Sequence, residues 1–401
     1  MKILVVCQYY YPEPFRITDI CEMLVKRGHE VTVVTGLPNY PEGKVLEEYR
    51  NENKKNEIKN GVKVIRTYEI GRGNSKLRLF LNYLSFTLSA SLKTFNLRDK
   101  YDVVFVNQLS PVMMAIPAII YKKKYKKKLL LYCLDLWPES LTVGGIKKGS
   151  LIFNLFLIIS KRIYKSADKI VVTSSMFKKY FKDTFDFQTD SIGHIPQYAE
   201  DLFLLNKDGR VIESNKSDIY NFVFAGNIGE FQSVETIVQA ANELKNHKNI
   251  RFHIVGDGSN LDRCKELASK YMLDNLVYYG RRPLEDMPSF YEMADAMLIT
   301  LINNKNVSYT LPGKVQSYMA AGKPIIGAID GETSIVIKDA DCGLCCAAGK
   351  YIDFAKLILE FVNSDRKKQM GVNAQNYYIQ NYNKNIFIER LENELNNLEV
   401  Y

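Results

Sequence analysis

The sequence predicts an α/β protein built from two doubly wound, parallel-sheet domains. An apolar run of strand length at residues 2–6 is followed by apolar positions at helical spacing over residues 17–24. Gly28 ends that helix, and residues 31–34 form a second apolar run. A strand, a helix and a strand within about 35 residues make a βαβ unit, which requires a parallel sheet. The same alternation of strands and helices begins again at Asn221, after a polar segment.

Further strand-length apolar runs occur in both halves, separated by helix-length segments. They cover residues 62–65, 103–106, 129–133 and 170–173, then residues 252–255, 277–279, 296–300, 324–328 and 343–345. Residues 205–219 are polar and aperiodic, so a domain boundary belongs there: residues 1–203 form the first domain and residues 204–382 the second. A final helix is expected over residues 383–401. We expect the two domains to face a cleft, because ligands of such sheets bind at the carboxyl ends of the strands.

Composition and charge narrow the function classes. The 401 residues are 46% hydrophobic, which excludes a mostly disordered chain. Seven scattered cysteines, with no signal peptide, predict reduced thiols in a cytoplasmic protein. The net charge is +13 in residues 1–200 and −4 in the remainder. A basic half could face nucleic acid, an anionic membrane or a phosphorylated substrate, or could serve only solubility. No nucleic-acid-binding motif is present, so we expect no nucleic acid partner.

Two segments could contact a membrane without crossing it. Residues 76–98 and 147–162 are apolar with basic flanks, and six lysines lie within residues 122–128. Neither apolar segment reaches the roughly 18 apolar residues of a membrane span. Each could lie in a membrane interface or be a buried helix covering the sheet. With the +13 charge, the pattern favours an anionic membrane surface as a partner.

Glycine turns and one lysine predict a diphosphate site in the second domain. Gly226 and Gly229 follow one strand, and Gly256 follows the next, so exposed amides could approach a nucleotide diphosphate at one sheet edge. Pro312 suits the first turn of a later helix, which places Lys314 near its amino end. A lysine there can neutralise a leaving diphosphate.

In the first domain, the chemistry-bearing motif is Asp135-Leu-Trp-Pro-Glu-Ser140. Asp135 follows a buried strand, and Trp137 could line a sugar ring or could belong to the core. The four histidines show no ligand spacing, so we expect no metal. The first strand is not followed by Gly-x-Gly-x-x-Gly, which argues against NAD and leaves no expected cofactor.

Together these segments resemble the retaining GT-B glycosyltransferases, a family 4-like, bacterial capsule and O-antigen branch that uses UDP-sugars. The resemblance rests on residues 10–16, residues 36–41, residues 135–140, Gly226-Asn-Ile-Gly229 with Gln232, and residues 312–324. It implies two Rossmann-like domains facing a cleft, a membrane-facing acceptor domain, a nucleotide-sugar domain, and a last helix that crosses back onto the first domain.

The resemblance also implies residue roles. The catalytic candidates are Asp135, Lys314 and Glu139. The donor-binding candidates are Gly226, Asn227, Gly229, Gln232, Gly256, Asp257, Arg282, Thr310, Leu311, Pro312, Gln316 and Ser317, with Gly229 and Lys314 on the diphosphate and Arg282 on the uracil. The acceptor-binding candidates are Phe15, Arg16, Asn39, Tyr40 and Trp137. Many relatives have a ribose-binding Glu where this chain has Ser317, so the usual Glu roles do not transfer directly.

The implied activity is metal-independent transfer, with retention, of a sugar of N-acetylated hexosamine type from a UDP-sugar. The acceptor would be a polyprenyl-diphosphate-linked sugar at the cytoplasmic face of the inner membrane, in polysaccharide assembly. Two alternatives remain at this stage. One is an enzyme like UDP-N-acetylglucosamine 2-epimerase, which shares the architecture. The other is a catalytically degenerate binding subunit of a membrane glycan-assembly complex.

Overall fold

A computed structural model describes residues 1–50, 54–142, 145–204 and 219–399 and contains two compact units. The first unit comprises Met1–Thr173, Phe177–Ile195 and Ile388–Tyr401, and the second comprises Ser174–Met176 and Pro196–Phe387. The chain therefore passes into the second unit at Pro196 rather than after residue 203. The reason is packing, because Ala199 and Phe203 lie in the hydrophobic core of the second unit. Most of the polar interval, residues 205–218, lies outside the described residues.

The first unit is built on an eight-stranded sheet with strand order β3-β4-β2-β1-β5-β6-β7-β8. The strands are β1 (Lys2–Val6), β2 (Glu30–Thr35), β3 (Asn56–Lys59), β4 (Val62–Arg66), β5 (Val103–Gln108), β6 (Lys128–Cys133), β7 (Lys169–Val172) and β8 (Ile192–His194). Neighbouring strands are parallel except β3 and β4, which are antiparallel. The central strands are apolar along their length because both faces of a parallel sheet are covered.

Helices cover the faces of this sheet. They are α1 (Ile17–Lys26), α2 (Glu47–Arg50), α3 (Lys76–Asn96), α4 (Ile116–Tyr125), α5 (Leu151–Lys165) and α6 (Ser175–Phe185), with short 3₁₀ turns at Val112–Ala115, Glu139–Thr142 and Thr189–Ser191. Ser75 and Ser150 cap α3 and α5 by accepting hydrogen bonds from backbone N–H groups of the first turn. The connections from β4 to β7 all advance in one direction across the sheet, so right-handed crossovers place α3, α4 and α5 on one face and α1 on the other.

The second unit contains a six-stranded parallel sheet with order β11-β10-β9-β12-β13-β14. The strands are β9 (Tyr220–Ala225), β10 (Ile250–Val255), β11 (Leu276–Gly280), β12 (Ala296–Thr300), β13 (Ile325–Ala328) and β14 (Gly343–Cys346). The helices that follow Pro196 in the chain are α7 (Glu235–Glu243), α8 (Leu261–Lys270), α9 (Met287–Met293), α10 (Lys305–Ser308), α11 (Gly313–Ala320), α12 (Glu332–Asp339), α13 (Tyr351–Asn363), α14 (Lys367–Asn381) and α15 (Lys384–Glu399), with 3₁₀ turns at Asp201–Phe203, Glu230–Gln232 and Leu284–Asp286. The predicted class, two parallel-sheet α/β domains, is confirmed.

The last helix begins in one unit and ends in the other. Its residues from Ile388 onward group with the first unit. The Glu392 carboxylate lies 2.8 Å from Nε2 of His29 and 2.9 Å from an Arg27 guanidinium nitrogen. Leu391 and Leu395 are completely buried. The carboxyl-terminal segment thus completes the packing of residues near the amino terminus.

Candidate active site

The first two glycine turns of the second unit pack directly against each other. Gly226 follows β9 and Gly256 follows β10, and these strands are parallel neighbours. Both glycines have positive φ, +136° and +143°. A Cβ on Gly256 would lie 1.9 Å from the carbonyl oxygen of Gly226, so no side chain fits there. The two turns therefore form one continuous backbone surface at the carboxyl edge of the sheet.

Lys314 reaches this surface from the amino end of α11. Its Nζ lies 3.8 Å from the centroid of the Phe224 ring, and a Cβ on Gly226 would lie 2.9 Å from Nζ. The ammonium is buried and has no hydrogen-bond partner among the described residues. Burial lowers the pKa of Lys314 to about 7, because the charged form loses its hydration. An unpaired, buried ammonium at a helix amino end and beside a glycine turn is arranged to receive an anion.

Gln232 orders the first glycine turn. Its Oε1 accepts hydrogen bonds from the Gly229 N–H at 3.1 Å and from Nδ2 of Asn227 at 3.3 Å. Its carbonyl oxygen accepts a hydrogen bond from the Thr300 hydroxyl. The Gly229 N–H, predicted to contact the donor diphosphate, is thus already engaged by a side chain. In this arrangement the role visible for Gly229 and Gln232 is to shape the turn.

The other donor candidates divide into exposed and buried groups. Asp257 and Arg282 are exposed at the carboxyl ends of β10 and β11, on the same edge as Gly226. Gln316 and Ser317 are buried on α11, and the Ser317 hydroxyl donates to the Gly313 carbonyl at 3.3 Å. The Ser317 side chain is therefore engaged by the backbone of its own helix.

The loop formed by residues 309–312 is held by contacts that the sequence did not suggest. The Thr310 carbonyl accepts a hydrogen bond from the Thr333 hydroxyl at 3.4 Å, and the Tyr309 carbonyl accepts one from the Ser174 hydroxyl. Pro312 is the residue that caps α11, at φ −62°, and it and Leu311 are half-buried. Because Gly313 and Lys314 follow this loop as the first residues of α11, these contacts also fix the start of that helix.

Glu332 belongs to the same framework. It is 3% exposed, and its carboxylate accepts hydrogen bonds from the Ser175 N–H at 2.9 Å, the Ser175 hydroxyl at 2.7 Å and the Met176 N–H at 3.1 Å. Gly331 precedes it with φ +72° and lies against the Ser308 carbonyl. A Gly-Glu pair opening a helix after a strand was the available sequence signal.

In the first unit, the loops after β1 and β2 are joined by Glu13. Its carboxylate accepts hydrogen bonds from the N–H groups of Asn39 at 2.9 Å, Tyr40 at 2.8 Å and Tyr10 at 3.2 Å. Burial raises the pKa of Glu13 to about 7 against these donors, which favour the charged form. Glu13 lies within one of the sequence segments that carry the family resemblance, but no role had been predicted for it.

The predicted acceptor residues differ in their surroundings. Phe15 and Tyr40 pack as aromatic neighbours, with ring centroids 5.2 Å apart. Arg16 is half-buried and immediately precedes α1. Asn39 is buried, and its amide accepts from the Arg72 N–H at 3.0 Å and donates to the Leu37 carbonyl at 2.8 Å. Asn39 thus orders its own loop, whereas Phe15 and Tyr40 present ring surface.

The Asp135 motif also separates into two environments. Asp135 is half-buried after β6, its carboxylate accepts the Ser110 N–H at 3.0 Å, and burial raises its pKa. Trp137 is buried against Phe156, with ring centroids 5.9 Å apart. Glu139 is buried and lies 3.0 Å from Nζ of Lys148. Of the three candidates, Asp135 is the one placed at a strand's carboxyl end.

A buried polar network around Glu69 was not predicted from the sequence. Its Oε1 accepts hydrogen bonds from Nε2 of Gln8 at 2.7 Å and from Nδ2 of Asn82 at 2.6 Å. Burial raises the pKa of Glu69 well above its usual value. A Cβ on Gly36 would lie 1.6 Å from its Oε2, which explains the glycine that opens the segment 36–41. The signals were Gly36 and the polar Asn82 within the apolar stretch of residues 79–84.

Within the described ranges, the chain has neither a metal-binding cluster nor a membrane-spanning helix. No group of three or more His, Cys, Asp or Glu side chains is positioned to hold a metal ion. No helix there is both long enough and apolar enough to cross a membrane.

Family models match both units. Residues 16–197 match Glycosyltransferase Family 4, and residues 208–377 match Glycosyl transferases group 1. The chain belongs to the family 4-like GT-B glycosyltransferases. Glycosyltransferase activity is thereby established at the level of the family. The sequence resemblance predicts this activity. The glycine turns described above lie at the carboxyl edge of the second unit's sheet.

Curated relatives agree with this assignment. The chain is 28% identical over 288 residues to the probable glycosyltransferase WbjE of Pseudomonas aeruginosa, covering 70% of each. It is 24% identical over 337 residues to the putative colanic acid biosynthesis glycosyl transferase WcaI of Escherichia coli, covering 80% of this chain and 82% of WcaI.

Solved structures share the fold of this glycosyltransferase. Sucrose-phosphate synthase from Thermosynechococcus elongatus superposes with a TM-score of 0.75 at 15% identity, covering 99% of this chain and 98% of that one. Anabaena Alr3699/HepE in complex with UDP superposes with a TM-score of 0.71 at 14% identity, covering 99% and 100%.

Proposed function

We propose that this glycosyltransferase moves a sugar of N-acetylated hexosamine type from a UDP-sugar to a polyprenyl-diphosphate-linked sugar, in cell-surface polysaccharide assembly. The observation that carries the donor half is Lys314. Its buried ammonium has no partner in the described part of the chain and lies beside a glycine turn. The β-phosphate of a nucleotide diphosphate supplies the missing negative charge. The UDP complex of Anabaena HepE and the colanic acid role in the name of WcaI support the donor and the pathway class.

The acceptor half rests on an exposed apolar stripe on α3. Its residues recur at helical spacing and are each 42–68% exposed: Leu77, Phe80, Leu84, Leu88, Leu92 and Phe95. The stripe runs for about 27 Å along the helix. Lys76, Arg78 and Lys93 lie on the same helix, so cations accompany the apolar surface.

Helix α5 continues this character on the same face of the sheet. Its exposed apolar residues, each more than half exposed, are Leu151, Ile152, Leu155 and Ile158. Lys161, Arg162 and Lys165 follow on that helix. Apolar stripes with basic neighbours suit an anionic bilayer surface, where rings and leucines enter the interface and lysines meet the headgroups. We therefore place this face on the cytoplasmic side of the inner membrane, where a lipid-linked acceptor resides.

The lysine run has a second role besides charge. Lys122 Nζ lies 2.6 Å from the Asp168 carboxylate and donates to the Ser166 carbonyl at 2.7 Å. Lys128 lies 3.7 Å from the same carboxylate. Lys122 therefore holds α4 to the segment between α5 and β7. Because part of the lysine run is engaged in this way, the membrane proposal depends chiefly on α3 and α5.

The proposed chemistry is transfer on the front face of the donor sugar. The bond from the anomeric carbon to the diphosphate oxygen breaks through an oxocarbenium-like state. The acceptor oxygen bonds to the same face, and a leaving phosphate oxygen takes the acceptor's proton. Lys314 and the amino end of α11 stabilise the charge that develops on the diphosphate. Because a lysine supplies this charge, we propose that no divalent metal is required.

A donor screen tests the proposal. Membranes carrying the lipid acceptor are incubated with the purified protein and labelled UDP-N-acetylglucosamine, UDP-N-acetylgalactosamine or UDP-glucose. We expect label in solvent-extractable lipid, with the anomeric configuration of the donor kept and with turnover unchanged by EDTA. Release of a new free UDP-sugar would instead indicate an epimerase. Saturable UDP-sugar binding without turnover would indicate a binding subunit.

Lys314 provides the matched variants. Lys314→Ala is expected to lower kcat by about 10²–10³, by analogy with the loss of one transition-state donor. Lys265→Ala removes an exposed lysine from α8 of the same unit and should leave kcat unchanged. Equal rates for both variants would assign Lys314 to structure.

A further inference from the structure

A cavity of about 540 Å³ opens at the carboxyl edge of the sheet in the first unit, apart from Asp135 and its motif. It lies between the segments that follow β2 and β4 and the first turn of α3. Four cationic side chains line it: Lys44, Arg50, Lys55 and Arg78. The size falls within the ordinary range of small-ligand sites.

The described walls of the cavity carry more positive than negative charge. None of Lys44, Arg50 and Arg78 forms an ion pair with another described residue. Among the described lining residues, the carboxyl group is that of Glu69, which is buried and hydrogen-bonded to Gln8 and Asn82. Burial raises the pKa of Glu69, and its Oε1 is engaged by the side-chain amides of Gln8 and Asn82. Like charges around one space repel unless an anion lies between them.

The same helix that lines the cavity also carries the exposed apolar stripe. Arg78 lies in the first turn of α3, next to Leu77, and Phe80 and Leu84 continue along the surface. A ligand that filled the cavity with an anionic group could therefore lay a hydrocarbon chain along α3. A phosphate or diphosphate attached to a lipid has this combination of parts, whereas a free sugar has neither.

We propose that this cavity binds the diphosphate of the lipid-linked acceptor, with its hydrocarbon chain on the α3 stripe. The inference rests on the proposed function and adds a binding site to it. The planar guanidinium of Arg78 is suited to bind two phosphate oxygens, and Lys44 and Arg50 add positive charge to the same cavity. The buried Glu69 carboxyl, which accepts hydrogen bonds from Gln8 and Asn82, holds the wall in place.

Binding of farnesyl diphosphate to the full-length protein tests the site. UDP is kept saturating, so that the site around Lys314 is occupied and cannot take the probe. We expect Arg78→Gln and Lys44→Gln each to weaken farnesyl diphosphate binding by about tenfold or more, the usual cost of one charged hydrogen bond. Lys26→Gln removes an exposed lysine from α1, on the other face of the sheet, and should bind like the wild type. Farnesol, which lacks the diphosphate, should bind weakly and equally to all four proteins.

Three results would overturn the proposal. One is unchanged farnesyl diphosphate affinity in Arg78→Gln and Lys44→Gln, with circular dichroism showing both folded. Another is an equal loss of farnesyl diphosphate affinity in Lys26→Gln, which would show that the loss follows the net charge of the protein rather than the cavity. The third is that the two cavity variants lose binding to phosphatidylglycerol vesicles but keep their affinity for farnesyl diphosphate. That result would assign the cavity to a phospholipid headgroup.

Kinetics separate this inference from the proposed function. If the inference holds, Arg78→Gln raises the KM for the lipid acceptor and leaves the KM for the UDP-sugar unchanged. Transfer to lipid with an unchanged acceptor KM would overturn the cavity assignment and keep the function. Arg78-dependent binding of farnesyl diphosphate without any transfer to lipid would keep the cavity assignment and overturn the proposed function.

Discussion

The ammonium of Lys314 lies 3.8 Å from the centroid of the Phe224 ring, on the side of the glycine turn that follows β9. The ring face partly compensates the charge, but a ring is a weaker partner than a phosphate. The residue is therefore balanced between its two protonation states near neutral pH, with its pKa lowered to about 7. A bound anion would shift that balance, which makes the donor site testable without an acceptor.

UDP binding should be coupled to proton uptake at Lys314. Near pH 8 the free lysine is mostly neutral, and a bound diphosphate favours the charged form and raises its pKa. We expect uptake approaching one proton per UDP, measured by calorimetry in two buffers of different ionisation enthalpy. Lys314→Met should bind UDP more weakly and take up no proton at this site. Equal uptake by the two proteins would place the titrating group elsewhere.

The same burial predicts how stability depends on pH. Because the folded pKa of Lys314 is lowered from 10.5 to about 7, the folded protein binds fewer protons than the unfolded chain between these values. The free energy of unfolding contributed by this residue therefore rises as pH increases across that window. Lys314→Met should be more stable than the wild type by a few kcal/mol, about 1.36 kcal/mol per unit of pKa shift, near pH 6. Urea unfolding should show this advantage disappear toward pH 10; a constant difference would contradict the prediction.

Gly36 should tolerate no side chain while Glu69 is present. The Cβ of Gly36→Ala would overlap Oε2 of Glu69 and would also lie 3.1 Å from the Gln8 carbonyl. We expect a loss of about 1–3 kcal/mol in the free energy of unfolding, the usual cost of overpacking. In a Glu69→Ala background the same substitution should cost much less, and a double-mutant cycle measures the difference. An equal cost in both backgrounds would exclude the overlap as the cause.

The α3 stripe should govern membrane binding. Phe80→Ser with Leu88→Ser removes two exposed apolar side chains, each worth about 1.5–3 kcal/mol when fully buried. We expect at least a tenfold loss of binding to phosphatidylglycerol vesicles, measured by cosedimentation, with UDP affinity unchanged. Ile335→Ser, at a single exposed isoleucine of α12, is the control and should bind vesicles normally. Unchanged vesicle binding by the double variant would remove α3 from the membrane surface.

The strands of both sheets were largely predictable, because β-branched and aliphatic runs at βα spacing leave few alternatives. Two strands were missed for physical reasons. β3 is a four-residue edge strand whose one large apolar residue, Ile58, is 78% exposed, so it has no hydrophobic pattern. β8 is three residues long. Such strands are specified by their neighbours rather than by their own sequence.

The candidate site was predictable where a local rule applies. Pro312 and the following residues indicated a helix start, and Lys314 lies there, unpaired and buried. Glu13 and Glu69 were not predictable, because their partners are distant in sequence: Glu69 bonds Gln8, 61 residues away. Trp137 illustrates a different limit. Whether an aromatic ring lines a cleft or a core depends on which helix packs beside it, and here that helix is α5 through Phe156.

The grouping of residues from Ile388 onward with the first unit bears on how the chain acquires its structure during synthesis. Residues 1–195 leave the ribosome first. Leu391, Leu395 and Glu392, the partner of His29 and Arg27, emerge only after the whole second unit. The first unit therefore stays incomplete until the segment from Ile388 onward has emerged, whereas all residues of the second unit are synthesised before that segment. A nascent chain stalled before residue 388 should carry an exposed apolar groove, and its first unit would need protection from aggregation until release.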